Sequence, residues 1–412
     1  MTTELPKKRI EVIDALRGFA LMGILILHFM EHFELFIYPQ EDSAVIGWFD
    51  RTLESVIWFL FAGKSYAIFS MLFGLSFFIQ MRNQQEKGRD FRPRFLWRLV
   101  LLYVFGYVNG LLYLGEIFAV YAVLGMLLVP LYNVSDRWLV PLCVALLCQL
   151  PFLSLFVYNL FVSPADAVIP FPGSDQYLTQ CYETSNGIYR SGSFGDAVSY
   201  NLWSGHMQKW LWFVVYSRLL QIVGLFLLGM LLGRRNVHRD RSRMLRYSLR
   251  GLGVGAVLFA VFYSVSAILP LLGLGEANAG LGKVVFKHYV ELGVMLMIVG
   301  VFVQAYFRLG AKKTLDNLAP VGRMSVTNYM AQSAIGVLLF YGYGIGLAER
   351  LGFMWSFLLA LSLCALQIVW SKWWIARFYY GPMEWLWRCL TWCSFDIPFR
   401  RKSRAVAAVR PE

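Results

Sequence analysis

Charge is what this chain has least of. Of its 412 residues only 15% are Asp, Glu, Lys or Arg, against about 25% in a soluble globular protein. Hydrophobic residues make up 58% and the mean hydropathy is +0.55. A water-soluble globule is excluded, and an all-α polytopic membrane protein is expected. Acid is scarcer than base, 25 residues to 38, for a net charge of +13. Basic excess can mark nucleic-acid binding, but here the Lys and Arg fall between apolar runs, where they record orientation in a bilayer. No nucleic-acid partner is expected. Cysteine is limited to six residues with no Cys-x-x-Cys pair, so neither a zinc site nor a disulfide framework is indicated. No internal repeat and no low-complexity tract is visible. The opening "MTTELPKKRIEVIDALRG" has a basic lead but no small-residue cleavage site after its apolar run, so the first apolar helix is expected to be retained.

What is present is a series of long apolar runs. A crossing needs roughly 20 mostly apolar residues. Segments near 13–37, 53–81, 95–112, 115–132, 138–162, 209–233, 248–270, 285–308, 324–347 and 353–378 qualify, giving about ten transmembrane helices. The second holds "FAGKSYAIF" and is expected to break at Gly63, which would make eleven. "PKKR", "RNQQEKGRDFRPR", "GRRNVHRDRSRMLR", "RLGAKKTLDN" and "RRKSR" fall on one side of ten alternating spans. The other side receives "PQEDS", "GLGEANAG", "GIGLAERLG" and the 163–208 loop, which has four acids and Arg190 as its one base. This predicts a multi-pass protein of the cell (inner) membrane with both termini cytoplasmic. The chain divides into an N-terminal half (1–162), an extracytoplasmic loop (163–208), a C-terminal half (209–379), and a cytoplasmic interfacial helix with a basic tail (380–412). "PFPGSDQY" and "SNGIYRSGSFGD" in the large loop read as turns.

The first helix, "IDALRGFALMGILILH", carries charge where charge is costly. Arg17 and His28 are eleven residues apart, which returns to the same helix face within roughly 20° and separates them by about 16 Å along the axis. Asp14 sits one turn before Arg17 and can pair with it. These residues read either as an interfacial anchor plus an interhelical hydrogen bond, or as a site. In the second reading Arg17 grips a phosphate and a neutral His28 accepts a proton from a hydroxyl or amine.

Arg17, ten residues, then His28 resembles the Arg-x(10)-His signature of acyltransferase family 3. "VIDALRGFALMGILIL" is similar to the opening helix of YeiB-like proteins (domain-of-unknown-function family 418) and of the heparan-glucosaminide acetyltransferase group. "LAPVGRMSVTNYMAQS" resembles the YeiB-like Gly-Arg-Met-x-x-Thr-Asn-Tyr motif, and "YYGPMEWLWRCLTW" its Gly-Pro-x-Glu-Trp-Leu-x-Arg motif. "GKSYAIFSMLFGLSF" and "YLGEIFAVYAVLG" match its middle motifs. The resemblance covers almost the whole chain. It departs from the YeiB-like pattern at His28, where Asn is usual, and at Glu116, where Asp is usual.

The resemblance implies an acyltransferase that moves an acyl group, such as acetyl, from cytoplasmic acyl-CoA to an extracytoplasmic sugar, glycoconjugate or lipid acceptor, with no metal. His28 would be the base, with Glu116 or Lys64 tuning it. Arg17 with Asp14, and Arg323 with Asn328 at the entry to the ninth span, would hold the acyl-CoA phosphates. Each has a plainer reading: Glu116 as a helix N-terminus, Lys64 as a snorkelling cation, Asn328 as an interhelical hydrogen bond. Arg218 lies inside the sixth span and is expected either to face the same slot or to snorkel. Glu384 and Arg388 are expected to pair at i, i+4 on an amphipathic interfacial helix. His206 reads as a solvated loop residue or an aid to the acceptor. Intramembrane Arg, Lys, Glu and His also fit a transporter or flippase of a small polar or anionic solute. They fit a non-catalytic structural protein as well.

Overall fold

The computed structural model describes residues 10–39, 44–163 and 166–401. The "PKKR" run, most of "PQEDS" and the basic tail beyond Arg401 lie outside them. The described residues are helical, with one isolated bridge, between Phe378 and Arg400, and no strand. In chain order the helices are α1 (Glu11–Met30), α2 (Ala44–Phe61), α3 (Lys64–Gln85), α4 (Arg92–Leu112), α5 (Phe118–Met126), α6 (Leu128–Leu131), α7 (Asp136–Leu147) and α8 (Leu150–Asn159). Then come α9 (Ser174–Ser191), α10 (Phe194–Tyr200), α11 (His206–Val215), α12 (Arg218–Arg234), α13 (Arg241–Ile268) and α14 (Glu276–Phe307). The last are α15 (Lys312–Leu315), α16 (Ala319–Arg323), α17 (Ser325–Phe340), α18 (Phe353–Arg377) and α19 (Pro382–Trp392).

Among the described residues six helical segments are long and apolar enough to cross a membrane, or up to eight if each of two bent pairs counts as one span. The bent pairs are α7 with α8, at 53°, and Phe194–Val215 with α12, at 73°. Two of the ten expected segments fall short for a physical reason. Residues 115–132 are divided between α5 and α6, and 324–347 contain only the 16 residues of α17. Neither is a straight run of about 20 residues. The break in the second segment lies at Gly63, whose φ of 76° suits a residue without Cβ.

The 163–208 loop is not a set of turns. Leu178, Ser185 and Tyr189, spaced seven and four apart, form the buried stripe of α9. Tyr189 stacks on Tyr341 at 4.6 Å, and Gly342 N–H donates to the Tyr189 carbonyl. Polar composition hid this helix, because three inward residues suffice to seat it. His206 is likewise not solvated. It is buried and stacked on Tyr107 at 4.3 Å.

α1 lies at the centre, 72% buried over its apolar window, and packs against α3, α16, α17 and α18. Its closest neighbour is α16. A Cβ added at Gly18 would run into the Leu318 carbonyl, and one added at Gly322 into the Asp14 carbonyl. Two glycines therefore let the backbones touch, as small residues do between membrane helices. Gly322→Ala should push α16 off α1 and lower the thermal unfolding midpoint in nanodiscs, by the equivalent of about 1–3 kcal/mol. An unchanged midpoint would mean that this contact is loose.

Candidate functional site

The Gly18–Gly322 contact sets Arg17 beside Arg323. Arg17 Nη1 donates to Asp14 at 2.9 Å and Nη2 to the Ser76 hydroxyl of α3 at 2.9 Å, so the guanidinium is aimed by two fixed acceptors. Arg17 and Arg323 line one cavity of about 240 Å³, and Arg98 and Arg388 line it too. The Arg98 guanidinium lies 3.6 Å from the Trp387 ring centre, and that of Arg388 lies 5.0 Å from the Tyr380 ring. Behind the arginines the walls are apolar, with Phe69, Phe73, Phe77, Phe118 and Tyr121. A compartment with four guanidinium groups at one side and aromatic rings behind suits a ligand with a phosphate head and an apolar arm.

The expected Glu384–Arg388 pair is replaced by something more specific. Glu384 accepts from Val326 N–H at 2.7 Å, Thr327 N–H at 3.0 Å and the Thr327 hydroxyl at 2.6 Å. Those are the first orphan donors of α17. Glu384 is spent on capping, which leaves Arg388 facing the cavity without its carboxylate. Burial pushes the Glu384 carboxyl above its usual value, with the Thr327 and Val326 hydrogen bonds opposing. α19 itself is clamped to α4: Trp387 Nε1 donates to the Arg98 carbonyl at 2.9 Å and Trp97 Nε1 to the Leu390 carbonyl at 3.0 Å.

At the other end of α1 stands His28. Its Nδ1 lies 3.1 Å from Glu31 Oε2 and 2.9 Å from the Tyr113 hydroxyl. A carboxylate oxygen accepts, so Nδ1 carries the proton and Nε2 keeps its lone pair. The chain then makes a left-handed turn. His32, Phe33, Glu34 and Phe36 have φ of 49°, 55°, 71° and 50°. Each such residue costs about 1–2 kcal/mol, and the surroundings hold the turn in place. His32 bonds Ser356 Oγ and the Ile37 carbonyl, both at 2.7 Å. Tyr341 donates to the Phe33 carbonyl at 3.0 Å.

The turn brings Glu31 and Glu34 towards Tyr113. Burial and the Glu31 carboxylate push Glu34 up to about 8, with Lys209 pulling the other way. Burial, then the Glu34 and Glu31 carboxylates, raise the Tyr113 phenol well above its usual value, so it remains a hydrogen-bond donor.

The structure brings the remaining expected residues together only in part. Glu116 accepts from Phe118 N–H, from Ala119 N–H at 3.2 Å and from Lys209 Nζ at 3.5 Å, which makes it the start of α5 and not a hydrogen-bond partner of His28. Phe118 walls the arginine cavity and packs on Tyr329 at 4.5 Å, and the Tyr329 hydroxyl lies 3.5 Å from the Gly115 carbonyl. Tyr329 thus links the cavity wall at Phe118 to the segment that carries Tyr113 and Gly115. Asn328 donates to Ser371 at 3.0 Å and to the Val321 carbonyl at 3.3 Å, an interhelical tie outside the cavity lining. Arg218 pairs with Glu291 and donates to Tyr66 at 2.7 Å. Lys64 neighbours Glu291 and Arg218, so these two cations form a separate centre.

Sequence reasoning passed over Arg98, Tyr113 and Lys209, and saw Glu31 and Glu34 only as acids near His28. Glu31 at i+3 from His28 was a usable signal. Arg98, Tyr113 and Lys209 come from other parts of the chain, and no spacing announces them.

Two family models match the chain. The model described as heparan-alpha-glucosaminide N-acetyltransferase, catalytic, matches residues 9–261, and the protein of unknown function model (DUF418) matches residues 232–394. The uncharacterized protein YxaH of Bacillus subtilis is 28% identical, over 97% of this chain and 98% of its own length. An uncharacterized 39.9 kDa protein encoded in the amylase 3' region of Bacillus acidopullulyticus is 25% identical over 93% and 94%. The uncharacterized protein YeiB of Escherichia coli is 24% identical over 92% and 95%. No solved structure matches.

Glu384→Ala should leave two N–H groups of α17 unpaired and cost about 1–3 kcal/mol, read as a lower unfolding midpoint. Glu384→Gln, which keeps one acceptor, should cost less. Equal loss in both would argue against capping. Glu34 has a folded value above its ordinary 4.5. Its contribution to stability is full below that value and is lost as the pH rises towards about 8. Glu34→Gln should therefore match wild type near pH 4.5 and outlast it above pH 8, in unfolding midpoints measured across that range. Parallel curves would remove Glu34 from the titrating group.

Proposed function

The chain belongs to the family of the heparan-alpha-glucosaminide N-acetyltransferase catalytic region and is YeiB-like along its length, and from that premise we propose that it is a transmembrane acyltransferase. The observation that carries the reading is the arrangement along α1. Arg17 opens into a four-arginine cavity at one end, and His28 meets a carboxylate and a phenol at the other. About 16 Å of helix lies between them. Asp14 belongs to the reading through Arg17, which it orients.

The topology follows the charge of the loops. The two bent pairs, the α5–α6 segment and α17 each count as a crossing, making ten, with both termini cytoplasmic in the inner membrane. The arginine cavity then opens to the cytoplasm, and His28, Tyr113 and the 163–208 segment face outward. Acyl-CoA is the co-substrate. Its phosphates meet Arg17, Arg323, Arg98 and Arg388, and its arm runs along the phenylalanine wall towards Phe118 and Tyr329. That pair must part for the thioester to reach His28. The 163–208 segment, with α9, is the natural acceptor selector, for a sugar, glycoconjugate or lipid.

In the transfer step His28 Nε2 takes the proton of the acceptor hydroxyl or amine. The acceptor atom attacks the thioester carbonyl, the C–S bond breaks, and the CoA thiolate leaves and receives a proton. Glu31 holds Nδ1–H and stabilises the imidazolium that forms. Tyr113 donates towards the developing oxyanion.

The test is acetyl-CoA binding to the purified protein in nanodiscs. Micromolar binding should weaken at least tenfold in Arg17→Ala and Arg98→Ala and persist in His28→Ala. With an acceptor supplied, His28→Ala should lose turnover by about 100-fold or more. No binding of any acyl-CoA to a folded sample, or full turnover by His28→Ala, would overturn the reading.

A further inference from the structure

Three helices break at the same place inside the bundle, and the acyltransfer reading uses none of it. α2 gives way to α3 at Gly63, α7 to α8 at Gln149 and α11 to α12 at Ser217, with φ of 76°, 51° and 55°. Side chains join the breaks. The Ser217 hydroxyl donates to Gln149 Oε1. Arg218, the first residue of α12, pairs with Glu291 of α14. A Cβ on Gly63 would strike that same carboxylate. Tyr66 links back, accepting from Arg218 and donating to Gln221.

The electrostatics of the junction are lopsided. It receives the N-termini of α3, α8 and α12, none capped by a side chain among the described residues. Each N-terminus contributes roughly half a positive charge, which the C-termini of α2, α7 and α11 at the same breaks offset, so the imbalance rests on the side chains. Arg218 and Lys64 add two full charges, with Lys287 close by, against the one carboxylate of Glu291. Lys64 is only 6% exposed, and its hydrogen bond to the Trp58 carbonyl is a long 3.4 Å. Three of the buried polar atoms without a partner among the described residues are donors on this network: Arg218 Nε, Gln221 Nε2 and Gln149 Nε2. Their side chains are 6%, 2% and 0% exposed. Surplus positive charge and unpaired donors inside a membrane are costly. One kind of partner relieves both, a small acceptor bearing negative charge.

We propose that this junction of three broken helices is a binding site for a small monovalent anion, a halide or a short carboxylate, held by Lys64, Arg218, Gln221 and the helix N-termini. Broken helices meeting head-on are how membrane proteins build ion sites without exposing backbone to lipid. The site is separate from the arginine cavity and stands whether or not the chain is an acyltransferase.

The experiment is thermal unfolding of the full chain in nanodiscs, titrated with sodium chloride and with sodium acetate. Sodium gluconate at matched ionic strength is the bulky control. Chloride, acetate or both should raise the unfolding midpoint by several degrees, saturably, and gluconate should not; whichever raises it identifies the anion. Lys64→Met and Gln221→Leu should each lose the anion dependence while remaining folded. Arg98→Ala, in the arginine cavity, should keep it. Identical midpoints in all three salts would overturn the proposal. So would an anion effect that survives in both Lys64→Met and Gln221→Leu, or one that disappears in Arg98→Ala.

Discussion

The site depends on how closely α1 can approach α16. Gly18 and Gly322 meet backbone against backbone, and no other side chain fits there. Lipid offers no hydrophobic drive to push helices together, so contact has to come from shape and from a few polar ties. Here the shape is two missing side chains, and the Arg17–Ser76 bond ties α1 to α3 beside them.

From that contact a division of labour follows along one helix. Near one end of α1 positive charge accumulates, with three further arginines from α4, α16 and α19. At the other end an imidazole meets carboxylates and a phenol. Charges buried in a bilayer persist when they are paired or used. Lys209 with Glu116 and Arg218 with Glu291 are paired. In the arginine cavity Asp14 meets Arg17, while Glu384 is turned to the backbone of α17.

That last detail joins two motifs far apart in the chain. "GRMSVTNY" contributes the uncapped start of α17 and the Thr327 hydroxyl, and "GPMEWLWR" contributes Glu384, Trp387 and Arg388. As strings they are two separate patterns, and Glu384 and Arg388 look like an ordinary helical pair. In space they are one unit that shapes a cavity wall. Nothing in their spacing reveals this, because capping across 57 residues obeys no period.

The sequence by itself determined the all-helical class, the membrane setting, the break at Gly63 and the alignment of Arg17 with His28. All four are local properties, read from hydropathy, glycine chemistry and a 3.6-residue period. Only the tertiary structure decided the rest. It bent two spans, folded the large loop into α9 and α10, and moved Lys64 and Arg218 away from His28 to Glu291. It also set Arg98, Tyr113 and Glu34 where they are. The reason is physical: a cavity lined from seven helices is set by backbone approach, and the His28 end by left-handed turns at residues such as His32 and Phe33. Their conformation is imposed by neighbours hundreds of residues away and not by their own preference.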